Sequence, residues 1–190
     1  MRKENIFFVG VALVVGLLVG IIVGNKGSDS PGGSTSNPPP AAAPVTNYEQ
    51  QIKMLTQVVE KEPENRNAWV QLGHNYFDSN QYVQAVEAYD KALALDANDP
   101  NVLTDQGVMF RKLGWYDRAV QNFEKAHQLN SLHTQSVYNL GIVYRYDLND
   151  FPKAIEAWEK FLAIAPPGPS TDQVRKEVEF MKSHPPTSGN

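Results

Sequence analysis

The 190-residue chain contains no cysteine. That excludes a disulfide framework, a thiolate metal site and a lipid-carrying cysteine near the N-terminus, and it fits any compartment. Strong charge of either sign is also missing. The formal net charge is −4, and residues 46–184 carry 14 Lys and Arg against 19 Asp and Glu. No basic stripe stands out, so nucleic acid is not an expected partner. Histidine is scarce. His74, His127, His133 and His184 form no His-Glu-x-x-His or other spaced ligand pattern, and no metal site is assigned. No glycine-rich phosphate loop is present either, and the acidic residues fall at helix ends and on exposed faces, where solvated charge is ordinary. The chain therefore offers no catalytic residue and no cofactor site, and it is not expected to be an enzyme.

What the chain does have is a repeat. Trp69, Leu72, Gly73 and Tyr76 are followed by Ala85, Tyr89 and Ala92. The pattern returns 34 residues later as Leu103, Gln106, Gly107, Phe110, Ala119, Phe123 and Ala126. It returns again as Val137, Leu140, Gly141 and Tyr144, then one residue late as Ala154, Trp158 and Phe161. Residues three and four apart share a helical face, so each copy reads as two helices. Gly73, Gly107 and Gly141 in the first helix, with Ala85, Ala119 and Ala154 in the second, are small enough to let the pair approach closely. A mid-helix glycine costs roughly 0.5–1 kcal/mol against alanine, so close packing is its natural reason. Asn80, Gly114 and Asn149 fall in the turns, and these residue types tolerate a left-handed backbone. The extra residue of the third copy is placed in its turn, where length is tolerated.

A 34-residue period with these residues at these places resembles the tetratricopeptide repeat (TPR) family, three times over. The resemblance covers about residues 48–182. It implies an all-α fold, a right-handed superhelical solenoid of helical hairpins, with repeats at 66–99, 100–133 and 134–168. Residues 47–65 read as an N-terminal capping helix, the second helix of a degenerate repeat, ended by Pro63. Residues 169–184 read as a C-terminal capping helix, with a capping box formed by Ser170 and Gln173. In that helix Val174, Val178 and Met181 face inward, and Arg175, Lys176, Glu177 and Lys182 mostly face water. Residues 185–190 remain as a tail.

The N-terminal part is different in kind. Ile6 to Val23 is an uncharged apolar run of 18 residues, about 27 Å as a helix, long enough to cross a bilayer core. It is longer than the apolar region of a signal peptide, and no Ala-x-Ala site follows directly, so an uncleaved transmembrane helix is expected over 6–23. Arg2 and Lys3 precede it, which places residues 1–5 in the cytoplasm and the repeats outside, in the periplasm of a two-membrane bacterium. Gly16, Gly20 and Gly24 form one flat face that could pair with a second membrane helix and so support a homo-oligomer. Residues 24–46 are rich in Gly, Ser, Pro and Ala and read as a disordered linker.

In TPR proteins the first helices line a concave groove where partners usually bind. Carried onto this sequence, the resemblance places Asn67, Val70, His74, Phe77 and Asp78 there from the first repeat. The second gives Asn101, Thr104, Val108, Arg111 and Lys112, and the third Gln135, Tyr138, Ile142, Arg145 and Tyr146. Phe77, Tyr138 and Tyr146 offer flat apolar surface, and Arg111, Lys112 and Arg145 offer donors, which suits an extended peptide or a partner helix. The carboxylate clamp of chaperone-docking TPR domains is not reproduced, because the matching places hold Val70, His74, Asp105, Gln135 and Asn139. The expected function is a membrane-anchored, non-enzymatic scaffold that binds a protein or peptide partner in this groove during assembly of an envelope complex. A subunit of a cytochrome c maturation or secretion and pilus machine, and a self-associating structural protein, are the alternatives.

Overall fold

The computed structural model describes residues 47–184. The expected cytoplasmic N-terminus, the 6–23 span with Gly16, Gly20 and Gly24, the 24–46 linker and the 185–190 tail lie outside the described residues. Among the described residues no helix is long and apolar enough to cross a membrane.

Eight α-helices follow in order, and the described residues form no strand: α1 (Tyr48–Lys61), α2 (Arg66–Asp78), α3 (Tyr82–Leu95), α4 (Pro100–Lys112), α5 (Tyr116–Leu129), α6 (Thr134–Ile142), α7 (Phe151–Ile164) and α8 (Pro169–Ser183). Their starts are written in the sequence. Asn47 and Asn65 accept from the backbone N–H groups of Gln50 and Ala68, each at 3.1 Å. Asp99 accepts from the N–H groups of Asn101 (2.8 Å) and Val102 (3.2 Å), with Pro100 at the first helical position. Pro63 ends α1, and its carbonyl accepts the indole N–H of Trp69 at 2.8 Å, fixing the step into α2.

Helices α2 and α3, α4 and α5, and α6 and α7 form three hairpins, and each hairpin packs on the next element in line. The small residues lie where the helices meet. A Cβ on Gly73 would fall 2.5 Å from the Tyr89 ring, one on Gly107 2.6 Å from the Phe123 ring, and one on Gly141 2.0 Å from Trp158 Nε1. The aromatic of each second helix thus lies over the glycine itself. Ala85, Ala119 and Ala154 are fully buried beside it. Asn80, Gly114 and Asn149 have φ of 61°, 77° and 55°, the left-handed turns expected of them.

Three readings are corrected. The extra residue of the third repeat is not in the turn: α6 runs on as a π-helical turn over Val143–Asp147, closed by Leu148 N–H on the Val143 carbonyl at 2.9 Å. Helix α8 starts earlier than Ser170, because Pro169 is pre-set for the first helical position. The cap is Gly168, whose N–H donates to Thr171 Oγ1 at 2.8 Å while that hydroxyl donates to the Gly168 carbonyl at 2.8 Å. Glu177 does not face water but turns half-buried toward Arg145. Val174, Val178 and Met181 are buried on α7, as their spacing implies.

Candidate partner-binding groove

Helices α4 and α6 touch directly, so the first helices of the hairpins form one layer. Contacts across this layer join each repeat to its neighbour. Arg66 on α2 pairs with Asp99, the cap of α4. Asn101 on α4 meets His133 Nε2 at 3.0 Å, while His133 Nδ1 accepts the Ser136 N–H at 3.3 Å and caps α6. His74 Nε2 lies 3.1 Å from Asp105 Oδ2. Arg111 grips Asp147 with two nitrogens, the second at 3.2 Å. Arg145 lies 3.5 Å from Glu177 on α8.

These contacts tune the titrating groups. The Asp105 hydrogen bond lifts His74 above its ordinary 6.5, against partial burial, and the negative charges of Asp105 and Asp78 add to the lift. His133 moves the other way, because burial disfavours its cation more than Asp105 and Asp99 favour it. Asp99 is also partly buried, which pushes its carboxyl up. Arg66 and the backbone N–H groups of Val102 and Asn101 outweigh that and hold it below the usual range.

The fifteen candidate groove residues therefore differ in what they can offer. Asn67, His74, Asp78, Asn101, Lys112, Gln135 and Tyr146 are exposed. Val70, Phe77, Val108, Tyr138, Ile142, Arg111 and Arg145 are half-buried. Thr104 is fully buried, its hydroxyl donating to the Pro100 carbonyl at 2.7 Å, so it does not reach a partner. Arg111 is not a free donor, since Asp147 already holds it, whereas Arg145 is ion-paired with Glu177 at 3.5 Å and its buried Nε makes no hydrogen bond among the described residues. Arg145 also lies over the Phe151 ring, 4.5 Å from its centroid. Tyr138 leans on Phe161 with ring centroids 5.3 Å apart. Val70, Phe77, Val108, Tyr138 and Ile142 pack against the core and keep part of their apolar surface exposed, and Asp78 and Lys112 are exposed charges outside the ion pairs described above.

Sequence reasoning missed a polar chain on the other side of the stack. Buried Gln106 donates to Asp90 Oδ1 at 2.7 Å and accepts from Asn122 Nδ2 at 2.8 Å, joining α3, α4 and α5. The signal was Gln106 at the place where the other repeats carry Leu72 and Leu140. A cleft of about 460 Å³ also lies outside the groove, between α5, α6 and α7. Two of its rim cations, Lys153 and Lys160, are already paired with Asp150 (2.9 Å) and Glu156 (2.7 Å). Among the described residues, no group of three or more His, Asp or Glu side chains could hold a metal ion.

Two family models, both described as tetratricopeptide repeat, match residues 46–104 and 104–169. The chain belongs to the tetratricopeptide repeat family. Curated relatives include the probable UDP-N-acetylglucosamine–peptide N-acetylglucosaminyltransferase SPINDLY of Hordeum vulgare, 30% identical over 118 residues, 58% of this chain and 12% of the relative. Hsp70-Hsp90 organizing protein 3 of Arabidopsis thaliana is 25% identical over 108 residues, 56% of this chain and 19% of the relative. The TPR chain thus spans a minor part of these relatives' length. Among solved structures, a crystal structure of MamA superposes with a TM-score of 0.66 at 25% identity, covering 72% of this chain and 79% of MamA. The Arabidopsis OM64 TPR domain superposes with 0.57 at 17% identity, covering 62% and 96%. TPR repeats act as protein-interaction scaffolds or adaptors, and this chain carries that module.

Proposed function

We propose that the protein is a membrane-anchored, non-enzymatic TPR scaffold that captures an extended peptide or an amphipathic partner helix in its concave groove, in the service of an envelope assembly. Residues 6–23 serve as the anchor, with the repeats on the outer, periplasmic side. The observation that supports the groove reading is that Val70, Phe77, Val108, Tyr138 and Ile142, all on first helices, stay half-exposed, with Asp78 and Lys112 exposed on the same helices. With Arg111 held by Asp147 and Arg145 charge-paired with Glu177, recognition rests on apolar and aromatic contact rather than on a carboxylate clamp. His74 and Asp105 bind each other at the places where a chaperone tail would need cations, so the co-chaperone role of some relatives is not transferred.

The test is crosslinking capture from native membranes, with the full-length protein beside a Val108→Glu, Ile142→Glu variant. Both residues are half-exposed on first helices, and neither takes part in an ion pair. Partners captured by the parent and lost by the variant, with the variant's melting temperature retained, support the groove. Identical partners for both chains move recognition elsewhere on the molecule. Substituting Arg111 or Arg145 would be a poorer probe, because it breaks contacts within the fold.

A further inference from the structure

Large apolar side chains are exposed along the edge formed by the turns that join each first helix to its second. Trp115 is 41% exposed, Tyr146 50%, Leu148 39% and Phe180 47%. Trp115 and Leu148 line one shallow depression. Arg145 joins the other two, 5.3 Å from the Tyr146 ring centroid and 5.7 Å from that of Phe180. The repeat itself does not ask for these residues. Trp115 stands where the flanking repeats carry Gln81 and Asp150. Tyr146 and Leu148 lie at the end of α6 that the extra residue lengthens, and Phe180 is on the final turns of α8. Charges of both signs flank these residues: Lys112 and Arg118 stand near Asp78 and Asp117, Lys153 pairs with Asp150, Arg145 pairs with Glu177, and Lys182 and Glu179 are exposed beside Phe180.

The chain also enters the fold at this edge. Tyr48 is in register with Tyr82, Tyr116 and Phe151, each the first residue of a second helix, and α1 packs on α2 as α3 packs on α4. The start of α1 at Asn47 therefore opens on the side of the turns. The opposite edge exposes Leu95, Leu129 and Leu132, aliphatic side chains without an aromatic among them.

We propose that the Trp115, Tyr146, Leu148 and Phe180 edge rests on the phospholipid surface, with these side chains entering the boundary between headgroups and acyl chains. The proposal rests on the reading of residues 6–23 as a membrane anchor. Aromatic rings with a polar tip favour that boundary, and an apolar strip lies in it when its neighbours stay hydrated. This mix of charges makes the contact apolar rather than electrostatic. Residues 24–46 between anchor and fold span at most about 80 Å fully extended. A tether of that kind holds the edge at an effective concentration on the order of millimolar, so a weak contact suffices.

The chain's lack of cysteine gives a clean test. Full-length Leu148→Cys and Leu132→Cys proteins, each carrying a nitroxide, are reconstituted in phosphatidylcholine vesicles, and collisions with oxygen and with a water-soluble nickel relaxant are measured at low and high salt. The Leu148 label is expected to lose nickel accessibility several-fold and gain oxygen accessibility at both salt concentrations. The Leu132 label is expected to stay in water. Adding Trp115→Ser and Phe180→Ser is expected to return the Leu148 label to water. If both labels remain equally water-accessible while the chain resists an alkaline carbonate wash, the edge assignment falls and the anchor stands. Release by the wash overturns the anchor and the edge together. Protection in native membranes but not in pure lipid vesicles would give the edge to a protein and overturn the lipid assignment.

Discussion

Of the three glycines packed under an aromatic ring, Gly141 has the least room. A Cβ there would fall 2.0 Å from Trp158 Nε1, closer than the 2.5 Å at Gly73 or the 2.6 Å at Gly107. Alanine in mid-helix normally gains about 1 kcal/mol over glycine. Here it would displace a buried ring, a cost of about 1–3 kcal/mol. It would also break the Trp158 Nε1 bond to the Tyr138 carbonyl at 3.1 Å, worth about 1 kcal/mol. Gly141→Ala is therefore expected to destabilise by about 1–3 kcal/mol in urea unfolding, and an unchanged midpoint would mean that the ring moves aside. The small residues and their reason were legible in the sequence, because packing that tight admits few side chains. The charges were not, because an ion pair depends on which residues meet 31 or 36 positions apart. The two central histidines show the consequence. His74 is raised above 6.5 by Asp105 and Asp78, so its contribution to stability is present below pH 6.5 and lost as pH rises through the raised value. His133 is lowered by burial, so its contribution is present above pH 6.5 and lost as pH falls through the lowered value, when Nδ1 can no longer accept from Ser136. Asp105→Asn should cost more stability at pH 5.5 than at pH 8.5. His133→Asn keeps a cap and should flatten the loss on the acid side. Thermal melts across that range read both, and parallel pH profiles for parent and variants would refute both assignments.

The helices, their caps and their left-handed turns followed from local chemistry, which is why Asp99-Pro100 and Asn80 could be read directly. The π-helical turn at Val143–Asp147 could have been read too. Asn149 stands five residues before Ala154, the same spacing as Asn80 to Ala85 and Gly114 to Ala119, so the turn is unchanged. Tyr144 stands five residues before Asn149 where Tyr76 and Phe110 stand four before Asn80 and Gly114. The extra residue had to lie in the helix. Its effect is to carry Asp147 to Arg111, a pair whose side chains are 15% and 30% exposed. Hydrogen bonds to charged groups are worth about 1.5–3 kcal/mol, discounted here for partial exposure. A double-mutant cycle with Arg111→Ala and Asp147→Ala is expected to give a coupling of about 1–2 kcal/mol in chemical denaturation. Additive single mutants would show that the staple contributes nothing and that Arg111 is in effect open to a ligand.

At the scale of the whole array, each repeat buries itself only against its neighbours, so the two ends decide whether the middle holds. The sequence announced an end helix at 169–184 through its polar outer face. Of the residues read as that face, Arg175, Lys176 and Lys182 are exposed on α8 and Glu177 is half-buried, while the inward Val174, Val178 and Met181 are buried. That charged face also disfavours end-to-end stacking of copies at this end, which weighs against the self-associating alternative. What the sequence could not announce is that α8, packed on α7, also brings Glu177 within 3.5 Å of Arg145. Removing residues 169–190 would uncover the α7 face and leave Arg145 half-buried without its carboxylate. Burying a Val or Met side chain is worth about 1.5–3 kcal/mol, an upper estimate for each. The shortened chain is therefore expected to lose several kcal/mol, with a lower urea midpoint and a smaller m-value because less surface is exposed on unfolding. A Glu177→Gln change in the full chain removes the charge and leaves the apolar contact, so its loss should be a small fraction of that. If the two losses are equal, α8 holds the array by its ion pair, and the apolar stripe is not what caps the stack.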